Sequence, residues 1–116
     1  MMFANIDKLK IYIRVGKTDM RKQINGLSIL VHDELELNPF EKSLFIFCNK
    51  PKNRLKILYW DRNGFCLWLK RLEKDKFPWP NGEALAKEIT TEQLKMILDG
   101  IDFWNAHSSL KYSEIN

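Results

Sequence analysis

The spacing of hydrophobic residues changes along the chain from the two-residue period of a strand to the period of a helix. Residues Ile11–Val15 alternate and are rich in β-branched side chains, which predicts a short strand ended by Gly16. A helix is predicted next, with apolar residues at helical spacing: Met20, Ile24, Leu27, Leu30, Val31 and Leu35. We expect Thr18 or Asp19 to cap its start and Asn38-Pro39 to close it.

Three further strand-like runs follow in the middle of the chain: Leu44–Cys48, Leu55–Trp60 and Phe65–Lys70. The last two are predicted to form a β-hairpin, because the Asn63-Gly64 pair between them tolerates the positive φ angles of a tight turn. With Arg62 and Asn63 as the loop, Trp60 lies opposite Phe65.

The last third of the chain is predicted to hold a second helix. The segment 77–80, Phe-Pro-Trp-Pro, cannot continue a central strand because proline has no N–H donor, so it should cross the surface with its aromatic rings packed down. Thr90 or Thr91 is expected to cap the helix, and Gly100 to lie near its end.

The order strand, helix, three strands, helix predicts an α+β fold. We expect a small, mostly antiparallel sheet with a central β-hairpin, packed by two helices. Residues 1–104 are predicted to form this single domain, and residues 105–116 a flexible C-terminal tail. Hydrophobic residues make up 45% of the 116 positions, which is enough for a packed core and excludes a disordered protein.

Basic charge is concentrated in the centre of the chain. Residues 50–76 carry nine Lys and Arg against three Asp and Glu, although the net charge of the whole chain is only +4. The hairpin register predicts that six of these cations gather at its open end: Lys50, Lys52, Arg54, Lys56, Lys70 and Arg71. Arg21 and Lys22, near the start of the first helix, would join them if that helix packs beside the sheet.

Basic side chains interleaved with aromatic ones favour nucleic acid as a partner, since cations neutralise phosphates and rings stack on bases. Two alternatives remain open from the sequence: a merely solvated basic face, and a core role for the aromatic rings. A second functional hypothesis is a protein interaction module, in which Trp60, Phe77 and Trp79 contact a partner protein, because Trp is frequent in interface hot spots.

Patterns typical of enzymes, cofactor sites and membrane proteins are absent from the sequence. His32 and His107 stand apart from other metal ligands, and Asp19 and Asp61 are explained as a helix cap and a turn residue. No phosphate-binding glycine motif and no long apolar run occur. We therefore predict a non-catalytic cytoplasmic protein without cofactor or metal, whose two cysteines are free thiols.

Several uncommon residues recur in an order that resembles a known family. They include Thr18–Lys22, Gly26-Leu27, Asn38–Phe40, Leu44–Phe47, Arg54–Asp61, Gly64–Leu67, Lys70–Glu73, Phe77, Trp79-Pro80, Gln93–Leu98 and Gly100–Asp102. From about Ile11 to Asp102 the chain resembles the TnpB accessory proteins, encoded by the second open reading frame of insertion sequences of the sixty-six family.

The resemblance implies a role in transposition of a bacterial mobile element, beside a separate transposase that performs the catalysis. DNA and that transposase are therefore the implied partners. The chain departs from the family in having Tyr59 where a second Trp is usual, and Lys50 and Lys52 in a loop that is often rich in Arg and Gly. Because Lys lacks the bidentate grip of Arg, this loop is expected to attract phosphate rather than to read bases.

Overall fold

The computed structural model of the protein describes residues 8–104, so the predicted tail at 105–116 lies outside the described residues. In chain order the elements are β1 (Lys10–Arg14), α1 (Ile24–Asp33), β2 (Ser43–Cys48), β3 (Arg54–Asp61), β4 (Gly64–Arg71), β5 (Ala86–Ile89) and α2 (Thr91–Leu98). The predicted α+β class is confirmed, with one strand more than the sequence indicated.

The five strands form one mixed sheet in the order β4-β3-β2-β1-β5. Only β1 and β2 are parallel, and α1 is the crossover that connects them; every other pair is antiparallel. The hairpin of β3 and β4, central in the chain, lies at one edge of the sheet. Its predicted register is confirmed, since Trp60 pairs with Phe65 and Arg54 with Arg71.

Two hydrophobic cores lie on opposite faces of the sheet, one under each helix. On one face α1 packs on β2 and β3 through Leu27, Leu30, Val31, Phe45, Phe47 and Leu58. On the other face α2 packs through Leu94 and Ile97 on a core that includes Ile11, Ile13, Leu44, Ile46, Leu55 and Ile57. Because both faces are covered, all six residues of β2 are buried.

The predicted ends of the first helix were wrong. Helix α1 begins only at Ile24, after Gln23 at the N-cap, and no side chain caps it. Asp19 is occupied elsewhere, because its carboxylate accepts hydrogen bonds from the backbone N–H and the guanidinium of Arg21. The helix ends at Asp33, before Asn38-Pro39, and Glu36 with φ 56° then reverses the chain. In contrast, the predicted cap at Thr90 is confirmed as a capping box with Gln93.

Strand β5 was missed because its sequence, AKEI, is short and half of its residues are charged. It is recognisable only from its pairing with β1, which is antiparallel and aligns Ile89 with Ile11. In the segment 77–80, which precedes β5, the aromatic rings pack inward as predicted. Phe77 and Trp79 are buried against the core of the α2 face.

Candidate nucleic-acid interface

Three loops meet at one end of the sheet, where β1 and β2 finish, β3 begins and β4 finishes. They are residues 15–23, 49–53 and 72–85. The carboxyl ends of neighbouring parallel strands are a common place for binding loops. Residues 15–23, 49–54 and 71–85 carry nine Lys and Arg against four Asp and Glu. We call this region the basic end; its cations are Lys17, Arg21, Lys22, Lys50, Lys52, Arg54, Arg71, Lys74 and Lys76.

The loop 49–53 is held in one shape by Asn49. The side-chain oxygen of Asn49 accepts hydrogen bonds from the backbone N–H groups of Asn53 and Arg54, both at 3.0 Å. Its amide nitrogen donates to the side chain of Asn53 at 2.7 Å. Lys52 adopts a positive φ of 63°, and its carbonyl accepts a 2.7 Å bond from the N–H of Phe77. The loop is therefore ordered without help from Lys50, whose side chain points to solvent.

The loop 15–23 is fixed to both neighbouring strands. The N–H of Thr18 donates to the carbonyl of Cys48 at 2.7 Å, joining this loop to the end of β2. The guanidinium of Arg14 donates to the Lys17 carbonyl at 2.8 Å and to the Thr18 hydroxyl at 3.2 Å. From the other side, the indole N–H of Trp79 donates to the carbonyls of Arg14 and Gly16 at 3.0 and 2.9 Å.

Lys56 has a structural role that the sequence did not indicate. Its side chain is only 5% exposed, and its ammonium donates to the carbonyls of Met20 and Lys22 at 2.9 and 2.8 Å. Burial, together with the nearby charge of Arg54, lowers the pKa of Lys56. The prediction that Lys56 contacts DNA directly is therefore corrected: its cation holds the loop 15–23 against β3.

Lys70 is also occupied within the protein. Its ammonium donates to the carbonyl of Leu98 at 2.9 Å, at the C-terminal end of α2 and on the face of the sheet opposite α1. A cation is favourable at that end of a helix because the unsatisfied carbonyls carry partial negative charge. Lys70 therefore does not join the cations that face solvent at the basic end.

The other six predicted cations do lie at the basic end, but two of them are paired. Arg21 contacts Asp19 at 2.7 Å, and this hydrogen bond lowers the pKa of the Asp19 carboxyl to about 2. Arg71 contacts Glu73 at 2.9 Å. Within residues 8–104 the remaining four predicted cations make no ion pair: Lys22, Lys50, Lys52 and Arg54.

Shallow grooves separate the loops of the basic end. One groove of about 510 Å³ is lined by residues that include Lys17, Lys22 and Lys50. A second, of about 430 Å³, shares Lys17 and Lys50 with the first and continues to Lys52. Lys17 was missed by the sequence reasoning. The sequence feature that could have indicated it is its position directly after Gly16, at the end of a strand that is followed by a helix, where α/β proteins commonly bind ligands.

The predicted partner-contacting aromatic residues are not brought together. Phe77 and Trp79 are only 1% and 5% exposed, so the prediction that they contact a partner is incompatible with their burial. Trp60 lies at the opposite end of the sheet, where its ring packs on Phe40 and Phe65 with centroids 5.1 and 5.0 Å away. Phe40 is 57% exposed and was not predicted. We call these three residues the aromatic cluster.

Across residues 8–104, no three His, Cys, Asp or Glu side chains come together in a way that could hold a metal ion. In the same range, no helix is long and apolar enough to cross a bilayer.

The sequence of the chain is similar to those of one known family. The chain matches the IS66 Orf2-like proteins over residues 9–108. It is 36% identical over 102 residues to the uncharacterized protein y4hO of Sinorhizobium fredii (strain NBRC 101917 / NGR234). This aligned segment covers 88% of this chain and 89% of y4hO. It is 33% identical over 95 residues to the uncharacterized protein y4jC of the same strain, and the alignment covers 82% of this chain and 81% of y4jC. No solved structure matches. The chain belongs to the IS66 Orf2-like family and is an accessory protein of insertion-sequence transposition.

Proposed function

We propose that this accessory protein binds DNA through its basic end. The observation that carries the proposal concerns four of the predicted cations, which make no ion pair within residues 8–104 and lie on or directly beside loops fixed by hydrogen bonds: Lys22, Lys50, Lys52 and Arg54. Cations held in place by an ordered backbone lose less conformational freedom when they meet a polyanion. The basic end is therefore suited to phosphate groups.

The chemistry of these cations favours the DNA backbone over the base edges. Three of the four are Lys, whose ammonium is a point charge without the bidentate geometry that recognises guanine. Binding through phosphates releases counterions and is largely independent of sequence. We therefore propose a general DNA-binding role at the basic end, with selection of the element's ends left to the transposase.

The proposal predicts salt-dependent binding by the full chain. Binding of a fluorescent duplex and of a single strand of the same sequence would be measured over a salt series by anisotropy. We expect the logarithm of the association constant to fall linearly with the logarithm of salt concentration, with a slope of about −3 to −4 for three or four phosphate contacts on duplex DNA. Absence of binding to both probes at low salt, or binding that salt does not weaken, would refute the proposal.

We propose as a second candidate function that the transposase of the same element contacts the aromatic cluster. Phe40 exposes more than half of its surface at the end of the sheet remote from the basic end, so both contacts can form together. Aromatic residues are enriched at interface hot spots. We expect Phe40→Ala to abolish co-purification with the transposase and to leave DNA affinity unchanged. Full retention of the transposase by this variant would exclude the cluster as its contact.

A further inference from the structure

The two edges of the sheet differ in how they are protected from pairing with another strand. The edge formed by β5 is four residues long, and Lys87 and Glu88 at its centre are exposed. Short, charged edges of this kind resist pairing with other chains. The edge formed by β4 is twice as long, at eight residues, and within residues 8–104 no strand pairs with its outer side.

Strand β4 has the composition of a strand that pairs on both sides. It contains no proline, and its residues 65–69 are apolar on both faces of the sheet. None of its residues is fully buried, and Leu69 is 55% exposed. Alternate residues of an edge strand direct their N–H and C=O groups outward. An apolar edge with outward backbone groups is a template for strand addition.

We propose that a second copy of this chain pairs with this edge, β4 against β4 in antiparallel orientation, to form a continuous ten-stranded sheet. The distribution of charge along β4 selects this occupant and this orientation. The apolar residues lie towards the hairpin turn, and Lys70 and Arg71 lie at the end that joins the basic end. Antiparallel pairing sends the two basic ends in opposite directions, whereas parallel pairing would bring these like charges side by side.

A two-fold axis perpendicular to the sheet, midway between Trp68 and Trp68 of the second copy, gives complementary neighbours across the interface. Residues directly opposite each other then share a face, as an antiparallel ladder requires. On the α1 face, Leu69 lies opposite Leu67 of the second copy, and Arg71 lies opposite Phe65 of the second copy. The first pair buries an exposed leucine, and the second places a guanidinium against an aromatic ring. The interface is self-complementary, as a symmetric dimer demands.

The test is the oligomeric state of the full chain, measured by sedimentation velocity from low to several hundred micromolar. We expect a monomer–dimer equilibrium, and we expect Leu69→Lys to weaken dimerisation by about tenfold or more because it introduces a charge into the pairing edge. Leu85→Lys is the matched control. Leu85 is 56% exposed and lies outside β4, so this variant should dimerise like the original chain.

Three results would overturn the proposal. The chain could remain monomeric at every concentration. Leu69→Lys, shown to be folded by circular dichroism, could dimerise as well as the original chain. The chain could be monomeric alone but bind the transposase in a manner that Leu69→Lys abolishes, which would assign the edge to the transposase instead.

Discussion

Replacing Trp79 with alanine is expected to destabilise the protein by about 3–5 kcal/mol, the cost of truncating a buried aromatic side chain. Trp79 is only 5% exposed and packs in the core of the α2 face. Its indole N–H also joins the segment 77–80 to the end of β1 through the carbonyls of Arg14 and Gly16. Since the free energy of unfolding of domains of this size is about 5–15 kcal/mol, the variant should lose a large fraction of its stability.

Trp79→Phe separates the two contributions of this side chain. It keeps most of the buried ring but removes the N–H donor, so the two accepting carbonyls lose a partner at a cost of about 1–3 kcal/mol. Urea unfolding followed by far-ultraviolet circular dichroism would measure both variants. If Trp79→Ala unfolded at the same urea concentration as the original chain, Trp79 would not be a core residue and its role in partner contact would have to be reconsidered.

Functional assays at the basic end should leave Trp79 unchanged. Trp79 lines the same groove as Lys50 and Lys52, so a truncation at Trp79 also disturbs the loops that present these cations. A loss of binding in Trp79→Ala would therefore report a loss of structure. Exposed positions such as Lys50 and Arg54 are the appropriate places to test contacts.

The hairpin could be predicted in detail because its information is local. The strand pattern places Arg62 and Asn63 in the loop, and a period of two then determines which residues share a face. The expected positive φ angles at Asn63-Gly64 were wrong, because the positive φ of this turn, 50°, is at Arg62. The predicted partners Trp60 and Phe65 are paired in the structure. The cap of α2 at Thr90 was equally local, because the capping box lies within four residues.

The use of each cation could not be predicted, since it depends on contacts between distant parts of the chain. Lys56 binds carbonyls that lie 34 and 36 residues away, and Lys70 binds one that lies 28 residues away. A charge count treats all basic residues alike, although these two ammonium groups satisfy backbone carbonyls inside the protein. Strand β5 was missed for the same reason: its pairing with β1 stabilises a sequence with little strand propensity of its own.

Neutralising the cations of the loop 49–53 and Arg54, the first residue of β3, is expected to remove most of the DNA affinity. In the triple variant Lys50→Gln, Lys52→Gln and Arg54→Gln, up to three phosphate contacts are lost. Each contact contributes about 0.9 to the salt slope, so the slope should become less negative by about 2–3. At 0.1 M salt this corresponds to a loss of about 100- to 1000-fold in the association constant. Anisotropy over the same salt series measures both quantities.

The chain offers a control with the same change in net charge at the opposite end of the sheet. Lys8, Lys10 and Lys42 are exposed and lie near the starts of β1 and β2. If the basic end is the contact surface, replacing these three with Gln should leave the salt slope within about one unit of the original, because no phosphate contact is removed.

If both triple variants lost affinity equally, only the overall charge would matter. If the control alone lost affinity, DNA would bind at the other end of the sheet. Either result would exclude the basic end as a specific contact surface, since its defining property is the position of its cations and not their number.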